Sequence, residues 1–368
     1  MKIYSVGGSV RDELLGIAVQ DRDHVVVGAD PAEMLKRGYR AVGADFPVFL
    51  HPETHEEYAL ARTERKTAPG YRGFVFHADP GVTLEEDLRR RDLTINAMAR
   101  GEDGALIDPH GGERDLRAGV LRHVSAAFAE DPVRILRVAR FAARFAFAIA
   151  PETMALMGEM VRSGEADALV PERVWQELSR GLMEKVPSRM IAVLRECGAL
   201  ARILPELERS LTRPGAPESL ARRLDCAAAR GHALAARFAS LALEHAPGEL
   251  AALVERINAP GDCRELARLA AIEREEIGRR DLDAESTLSL LERADAFRRP
   301  ERLDRLLETA ECDGPGALAP RERLKRALEA ARGVDAAKIA RDNPGDIPGA
   351  LRRARLVAIA SLQPATGN

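Results

Sequence analysis

A glycine turn followed by two nearby acidic residues, in the stretch from Gly7 to Asp23, constrains the fold of this chain most. Residues Lys2–Val6 have the composition of a short strand, the Gly-Gly pair predicts a tight turn, and Ser9 is typical of a helix N-cap. A brief helix is therefore expected over Val10–Leu15. Backbone N–H groups at such a turn attract anions, because they lie at the positive end of the helix dipole. The pattern predicts a phosphate-binding turn.

The second half of this stretch carries two carboxylates, Asp21 and Asp23, ahead of the apolar run Val25–Val27. If this run is a strand, side chains two residues apart lie on one face, so the carboxylates are expected side by side. Adjacent carboxylates repel each other, and a divalent cation neutralises them. Together with the glycine turn and the permanent charge of Arg11, the pair predicts metal-assisted phosphoryl or nucleotidyl transfer.

The composition is that of a globular protein without an overall charge that attracts nucleic acid. Of the 368 residues, 46% are hydrophobic and 31% charged, and the formal net charge is -3. Contacts to nucleic acid are therefore expected from local basic patches. No leader-like start and no apolar run of membrane-spanning length is recognisable, so a cytoplasmic location without membrane contact is expected.

The four cysteines lie far apart in the sequence, at Cys197, Cys226, Cys263 and Cys312. They show no C-x-x-C spacing, which argues against both a zinc site and a disulfide framework. We therefore expect reduced and mostly buried thiols.

Strand-like and helix-like runs alternate up to about Ile107, whereas after Ala148 only helical patterns broken by prolines are recognisable. This order predicts an α+β protein, in which a small mixed-sheet head precedes an all-helical remainder. The D-P-H-G-G sequence from Asp108 predicts a turn at a hinge or structural corner. The predicted strands are Ile3–Val6, His24–Val27, Pro47–Leu50, Glu57–Ala61 and Ala105–Ile107, and the helices predicted among them are Pro31–Arg37 and Leu84–Leu88.

Two basic segments are candidates for contacts with phosphate or sugar. In R-R-R-D-L-T-I-N-A, Arg91 is able to pair with phosphate, and Asp92 or Asn96 to hydrogen-bond a ribose hydroxyl. A solvated surface cluster is the alternative. The segment Arg65–Gly73 is rich in basic residues, Gly and Pro, and predicts a mobile loop that either closes on a nucleotide or is merely solvated.

A helix is predicted from Pro132 to about Phe147, because acids before it and a proline in its first turn are typical of helix starts. Residues three apart lie along one stripe of a helix. The stripe is either a solvated face with ion pairs or one wall of a binding site. Its members are Asp131, Arg134, Arg137 and Arg140.

The order of these motifs resembles that of the bacterial class II tRNA nucleotidyltransferases, the CCA-adding enzymes of the polymerase-β nucleotidyltransferase superfamily. The motifs are G-G-S-V-R-D, D-R-D, H-E-E-Y-A-L-A-R-T-E, R-R-D-L-T-I-N-A, D-P-H-G-G-E-R-D-L and E-D-P-V-R-I-L-R-V-A-R-F-A-A-R. The resemblance is dense from Met1 to about Cys197 and thins from about Arg209. It implies a catalytic head over residues 1–122, a neck with base recognition over 123–208, and a tRNA-binding body and tail over 209–368.

The resemblance implies template-independent addition of CCA to the 3′ end of tRNA from CTP and ATP, with release of pyrophosphate. Asp21 and Asp23 would hold two Mg²⁺ ions, one lowering the pKa of the tRNA 3′ hydroxyl and one neutralising the triphosphate. The partners would be the tRNA acceptor end and the two nucleotides, for a monomer or homodimer. The nucleotide would be held by Gly8, Ser9 and Arg11 at the triphosphate, by Arg91 and Asp92 at the sugar and phosphate end, and by Arg137 and Arg140 in the rest of the pocket.

The resemblance also implies that Asp131 and Arg134 read the base, and elementary chemistry agrees. Cytosine and adenine present an amine donor beside a ring-nitrogen acceptor, which a carboxylate beside a guanidinium matches. Uracil and guanine present a carbonyl and a ring N–H there, so both contacts fail. One pair of side chains is thus able to accept C and A and to refuse U and G.

Several alternatives share these motifs. Poly(A) polymerases typically add an N-terminal extension and a basic tail that are not recognisable here, whereas the A-adding and CC-adding enzymes of split systems are not excluded. A noncatalytic tRNA-binding protein would have no need of two adjacent uncompensated carboxylates. Some relatives carry an HD phosphohydrolase domain, but no His-Asp dipeptide occurs here and residues 209–280 contain only His232 and His245, so that activity is expected to be absent.

Overall fold

The computed structural model of the chain describes residues 1–19, 21–42, 48–66, 74–77, 79–279, 282–313 and 318–362. The chain forms two compact units, Met1–Glu177 with Arg189–Ile203, and Leu178–Ser188 with Leu204–Asn368. The first unit contains the strands and the second is helical, so the predicted α+β class is confirmed. The domain boundaries expected near residues 122 and 208 remain a prediction.

The strands of the first unit are short and lie mainly in its first half. They are β1 (Lys2–Val6), β2 (Asp23–Val27), β3 (Arg40–Val42), β4 (Val48–Leu50), β5 (Glu57–Leu60), β6 (Thr63–Lys66), β7 (Phe74–His77), β8 (Ala99–Arg100), β9 (Leu106–Ile107), β10 (Val120–Leu121) and β11 (Ala148–Ile149). In the described part of the chain, seven of them form one mixed sheet in the order β3-β4-β5-β2-β1-β8-β9. The pairs β6–β7 and β10–β11 are separate ladders.

The middle of this sheet places its polar strand ends side by side. Strand β1 pairs antiparallel with β2, so that Val6 lies opposite Asp23, and β2 pairs parallel with β5, so that Asp23 also lies opposite Glu57. Successive side chains of β2 point to opposite faces. Val25 packs into the hydrophobic cluster of one face, and Val26 into that of the other. The sheet is therefore anchored on both faces, which fixes the register that carries Asp23.

The helices that follow and connect these strands build the rest of the first unit. They are α1 (Gly8–Leu14), α2 (Pro31–Lys36), α3 (Leu84–Arg89), α4 (Gly112–Ala118), α5 (Val133–Phe145), α6 (Pro151–Arg162), α7 (Pro171–Leu182), α8 (Pro187–Glu196) and α9 (Ala199–Ile203), of which α7 and α8 extend across the unit boundary. The predicted strands and helices are present within about two residues of their expected ends. Strands β3, β6, β7, β8, β10 and β11 were not expected, because they are short and lack a clear alternation.

Two local expectations differ from the structure. Gly7 rather than Ser9 is the N-cap of α1, since its φ of 70° is open to glycine and the Ser9 hydroxyl instead donates to the Val6 carbonyl at 3.0 Å. Of the loop expected over Arg65–Gly73, the first two residues belong to β6, and residues 67–73 lie outside the described residues, as does Pro47.

The second unit packs helices around an apolar interior. Its helices are α10 (Pro205–Ser210), α11 (Ala216–Ala229), α12 (Leu234–Ala242), α13 (Pro247–Arg256), α14 (Gly261–Gly278), α15 (Ala284–Arg293), α16 (Pro300–Glu311), α17 (Leu318–Arg332), α18 (Ala336–Asp342) and α19 (Ile347–Ala360). Helix α12, with Phe238 fully buried, packs against α11, α14 and α16, whereas α19 packs against α15 and α17. In the part of the chain that the structure describes, no helix has both the length and the apolar character of a membrane span.

One covalent link corrects the expectation for the thiols. Cys226 in α11 and Cys312 at the end of α16 form a disulfide across 86 residues of sequence, whereas Cys197 and Cys263 are free and buried. The expectation of reduced thiols was therefore wrong for this pair. The contact arises from helix packing that brings the two Cα atoms to 5.8 Å, and no local spacing in the sequence signals it.

Candidate active site

A cavity of about 590 Å³ opens in the first unit beside β1, β2 and α5. Nine arginines and four carboxylates line it, a formal excess of five positive charges in a chain whose net charge is -3. We call it the arginine cavity. Such a local excess suits a ligand of several negative charges, such as a nucleoside triphosphate. The charged lining residues are Arg11, Arg62, Arg90, Arg91, Arg134, Arg137, Arg140, Arg144, Arg173, Asp23, Glu57, Asp92 and Asp131.

The glycine turn between β1 and α1 forms one edge of this cavity. A side chain at Gly7 would place its Cβ 2.7 Å from Nη1 of Arg91, so the guanidinium would have to shift, and the φ of 70° separately favours glycine. The Gly7 N–H donates to the Met98 carbonyl at 3.1 Å, which fixes the turn against the neighbouring chain segment. Gly8 also lines the cavity. The expected phosphate-binding turn and Arg91 are thus brought together.

Arg11 lines the cavity but is largely occupied by protein partners. It is 3% exposed, and its Nε and Nη1 donate to Asp12 Oδ1 at 2.8 Å and to Asn96 Oδ1 at 2.5 Å. Its guanidinium also lies 5.0 Å from the centre of the Phe145 ring. On the other side of Asp12, Arg144 donates to Oδ2 at 2.9 Å, so this carboxylate joins α1 to α5.

A fully buried carboxylate that sequence reasoning missed holds the arginines after α3. Asp87 is 0% exposed and forms ion pairs with Arg90 at 2.7 Å and with Arg91 at 3.2 Å. Burial would raise the pKa of Asp87, but the charges of Arg91 and Arg90 outweigh it, and the pKa lies below its ordinary value. Arg90 and Arg91 are therefore held on the cavity wall and are not part of a solvated surface cluster, whereas Arg89 is exposed.

Asp92 is the most strongly held of the predicted site residues. Its Oδ1 accepts hydrogen bonds from the Leu93 N–H at 2.8 Å and from Asn96 Nδ2 at 3.0 Å, and its Oδ2 accepts one from Arg137 Nε at 2.7 Å. Burial opposes ionisation, but the charge of Arg137 and these hydrogen bonds lower the pKa of Asp92 far below its ordinary value. The expected stripe residue Arg137 and the expected ribose contact Asp92 are thus a pair.

The D-P-H-G-G corner supports this arrangement from behind. Gly112 approaches the turn at Thr94–Asn96 so closely that a Cβ would lie 2.2 Å from the Thr94 carbonyl oxygen. The Asp108 carboxylate accepts the N–H of Gly112 at 2.7 Å, and Asp115 accepts the Thr94 hydroxyl at 2.8 Å. The D-P-H-G-G segment is therefore a structural corner that positions the residues after Asp92.

Two residues of the stripe, Asp131 and Arg140, are held by residues of α7. Asp131 precedes the helix, and both of its oxygens accept from Arg173 at 3.1 Å. Arg140 donates from Nε to Glu177 Oε2 at 2.6 Å. Arg134 and Arg140 are 8% and 7% exposed, which excludes a solvated face. Sequence reasoning missed Arg173 and Glu177, although their spacing of four in P-E-R-V-W-Q-E-L was a signal.

Asp21 and Asp23 lie at a second cavity of about 600 Å³, the acidic cavity, lined by Val19, Asp21–Asp23 and Thr54–Glu57. Strand β2 begins at Asp23, so Asp21 lies just before the strand. Both residues are nevertheless exposed and line this cavity. Asp23 and Glu57 line the arginine cavity as well. Among the described residues, neither Asp21 nor Asp23 is in an ion pair.

These two carboxylates fit a divalent cation of the magnesium type. Within the described ranges, no cluster of three or more His, Cys, Asp or Glu side chains could enclose a metal. Magnesium usually keeps several waters and binds through one or two carboxylates together with substrate phosphates. Two exposed carboxylates beside the arginine cavity therefore supply a fitting set of oxygen donors.

Comparisons with known proteins give the family. Residues 3–122 match the model of the poly A polymerase head domain, and residues 146–211 match "Probable RNA and SrmB- binding site of polymerase A". The chain is 54% identical to the multifunctional CCA protein of Chromobacterium violaceum, over 99% of this chain and 98% of the relative. That alignment has 401 positions, so at least 33 of them have no counterpart among the 368 residues here.

Solved structures agree on the fold. The CCA-adding enzyme of Bacillus stearothermophilus in complex with CTP is 24% identical, with a TM-score of 0.72 over 98% of this chain and 88% of that one. The Thermotoga maritima CCA-adding enzyme complexed with tRNA is also 24% identical, with a TM-score of 0.66 over 99% and 88%. With full-length identity above half to a curated relative, the chain belongs to the class II tRNA nucleotidyltransferases, the CCA-adding enzymes.

Proposed function

We propose that this chain adds C, C and A to the 3′ end of tRNA, taking the nucleotides from CTP and ATP and releasing pyrophosphate. The observation that carries the proposal is the meeting of the two cavities at Asp23. On one side lies a lining with an excess of five positive charges, which suits a triphosphate, and on the other lie the carboxylates of Asp21 and Asp23, which are in no ion pair among the described residues. Structures of relatives with CTP and with tRNA support both substrates.

The triphosphate is assigned to the glycine turn. Gly8 lines the arginine cavity at the start of α1, and its backbone N–H and that of Ser9 are assigned to the phosphates, whereas the buried Ser9 hydroxyl is bonded to the Val6 carbonyl. Arg91, which lies against Gly7, supplies the charge nearest to this turn. Arg11 contributes its charge from a fixed position, since Asp12 and Asn96 hold its guanidinium.

The sugar is assigned to Asp92 and the base to Asp131 with Arg134. The hydrogen bonds of Asp92 leave a lone pair on Oδ2 for a ribose hydroxyl, and Arg137 keeps that oxygen in place. Arg134 is aligned by donating to the carbonyls of Ala127 at 2.9 Å and Arg90 at 2.6 Å. Arg140, fixed by Glu177, completes the wall of the pocket.

Asp21 and Asp23 are assigned as the metal ligands, and Mg²⁺ as the metal. When bound there, the metal lowers the pKa of the attacking 3′ hydroxyl and neutralises charge on the departing pyrophosphate. The residues of the chain supply position: the glycine turn and arginines hold the phosphates, while the register of β2 holds Asp23 beside them. Catalysis then rests mainly on alignment and electrostatic stabilisation.

We also propose that the chain has no HD-type phosphohydrolase activity. His232 is buried and bonded through Nε2 to Glu311 at 3.1 Å, and the buried Nδ1 of His245 lies 3.0 Å from the Ala242 carbonyl oxygen. Burial lowers the pKa of both imidazoles. Phosphatase and cyclic-phosphodiesterase assays with added Mg²⁺, Mn²⁺ or Ni²⁺ test it, and turnover in any of them overturns it.

The function is tested with labelled nucleotides on three tRNAs, ending before CCA, after C and after CC. Addition of two C and one A in the presence of Mg²⁺, lost on chelation, supports the proposal. Addition of C alone or A alone would make the chain half of a split system. Long A tracts would make it a poly(A) polymerase, the activity that the name of the matched head-domain model suggests. Binding of tRNA without any incorporation would make it a noncatalytic tRNA-binding protein.

A further inference from the structure

The base-reading carboxylate stands outside the regular part of its helix. Asp131 has extended backbone angles, φ -119° and ψ 106°, and is followed by Pro132 and then by α5. Locally, the Val133 N–H donates to its Oδ1 at 3.1 Å. A single hydrogen bond of this kind leaves the carboxylate free to turn about its Cβ–Cγ bond, because that torsion has a broad minimum. The orientation of the carboxylate plane must therefore be set by another contact.

Arg173, in the first turn of α7, makes that contact. Its Nη1 donates to Oδ1 of Asp131 and its Nη2 to Oδ2, both at 3.1 Å. Two parallel bonds from a planar guanidinium fix the plane of a carboxylate as well as its position. Since the plane is fixed, the remaining lone pairs point in fixed directions.

The partner of Asp131 in base reading is oriented by different groups. Arg134 donates to the backbone carbonyls of Ala127 and Arg90. The Asp131 carboxylate, which would accept from the base, is thus held by a side chain of α7. The Arg134 guanidinium, which would donate to the base, is held by backbone oxygens. The two bonds lost with Arg173 are bonds to the acceptor.

We propose that Arg173 is a positioning residue that sets nucleotide choice, by holding the Asp131 carboxylate so that it accepts the amine of cytosine or adenine. This inference rests on the proposed function. Without the two bonds, the carboxylate rotates towards whichever guanidinium is nearest, and the reading edge no longer has a fixed acceptor. Refusal of uracil and guanine depends on that fixed acceptor, because their carbonyl oxygens are repelled by it.

The test compares Arg173→Ala and Arg173→Lys with wild type, using Arg180→Ala on the same helix as the control. Arg180 is exposed and is in no ion pair among the described residues. The kcat/KM values for CTP and UTP are measured on tRNA that lacks CCA, and those for ATP and GTP on tRNA that ends in CC. We expect the preference for CTP over UTP to fall about 10- to 100-fold in both Arg173 variants, with a rise in KM for CTP.

The lysine variant separates positioning from a merely structural role. Lysine keeps the positive charge and much of the packing, but cannot bond both carboxylate oxygens in one plane. Lost selectivity in Arg173→Lys, at a melting temperature close to that of wild type, supports the proposal. Wild-type selectivity in this variant overturns it, as does an equal loss for all four nucleotides. If Arg173→Ala does not fold, the lysine variant alone decides.

A binding measurement distinguishes failure of this inference from failure of the proposed function. The chain has a single tryptophan, Trp175, two residues from Arg173, whose fluorescence we expect to change when a nucleotide binds. If wild type incorporates nothing, the proposed function fails, and titrations with CTP and UTP then decide the role of Arg173. A preference for CTP that is lost in Arg173→Lys supports that role. The same preference in both proteins, or none in wild type, overturns it.

Discussion

The Nε of Arg137 lies 2.7 Å from Oδ2 of Asp92, so one ion pair joins α5 to the segment that follows α3. The carboxylate is 6% exposed, and the side chain of the arginine is 34% exposed. Breaking a buried pair from one side leaves an uncompensated charge, which costs several kcal/mol. The pair therefore links the stability of the first unit to the orientation of the carboxylate that we propose binds the ribose.

Asp92→Asn is expected to lower the free energy of unfolding by about 2 kcal/mol at pH 7, less than for a fully buried pair because Arg137 is partly exposed. The pKa of Asp92 is lowered in the folded state. The ionised carboxylate therefore makes its full contribution to the free energy of unfolding above the unfolded pKa of about 4, and this contribution is lost as pH falls through the folded pKa. Urea unfolding between pH 3 and 7 should show that the difference in the free energy of unfolding between wild type and Asp92→Asn becomes smaller below about pH 4. A difference that is constant with pH contradicts this. Asp342→Asn, at an exposed carboxylate without an ion pair among the described residues, is the control.

Asp23→Asn is expected to reduce nucleotide incorporation at least about 1,000-fold while leaving the fold intact. The side chain is exposed and without an ion pair in the described ranges, so the free energy of unfolding should change by no more than about 0.5 kcal/mol. Removal of a metal ligand at the reacting centre instead acts on the transition state. Single-turnover incorporation and thermal unfolding, measured together, check both statements. Glu102→Gln, at an exposed acid of the same unit, should show wild-type incorporation and wild-type thermal unfolding. If Asp23→Asn showed near-normal incorporation, Asp23 would not be a ligand of the metal.

In the arginine cavity, the functional motifs are predictable from the sequence, but the residues that hold them in place are not. The glycine turn, the D-x-D pair and the arginines of α5 are local patterns, and the structure brings each of them to one of the two adjoining cavities. The partners that hold them are distant in sequence: Asn96 is 85 residues from Arg11, and Arg173 is 42 residues from Asp131. Such pairs depend on the packing of α1, α5 and α7, which no local periodicity specifies.

The same limit explains the error at Ser9. A serine after two glycines is a common N-cap, but the turn at Gly7 has a positive φ and takes the capping position itself. The displaced hydroxyl then bonds back to the strand at Val6. The local signal favoured a helix start within two residues of the true one, and the left-handed backbone of Gly7 places the N-cap at that residue instead.

Gly112→Ala is expected to destabilise the chain by about 2 kcal/mol or more and to weaken nucleotide binding. The added Cβ would lie 2.2 Å from the Thr94 carbonyl oxygen, and a backbone group cannot move aside as a flexible side chain does. The displacement would reach Asn96, which holds both Arg11 and Asp92. Chemical denaturation and titration with CTP measure the two effects. Gly248→Ala, in α13 where nothing lies within 4 Å of the new Cβ, should be neutral or stabilising by up to about 1 kcal/mol.

The disulfide between Cys226 and Cys312 gives the second unit a link that is sensitive to reductant. Alkylation of the unfolded, unreduced protein should label Cys197 and Cys263 only, and prior reduction should expose all four thiols to label. Because the bond closes a loop of 86 residues, it restricts the unfolded chain, and reduction should lower the free energy of unfolding by about 3–4 kcal/mol. A double variant with serine at both positions should lose this response to reductant. Four labelled thiols in protein purified without reductant would mean that the pair remains reduced, as the sequence spacing alone suggests, and that the second unit is held by packing and ion pairs.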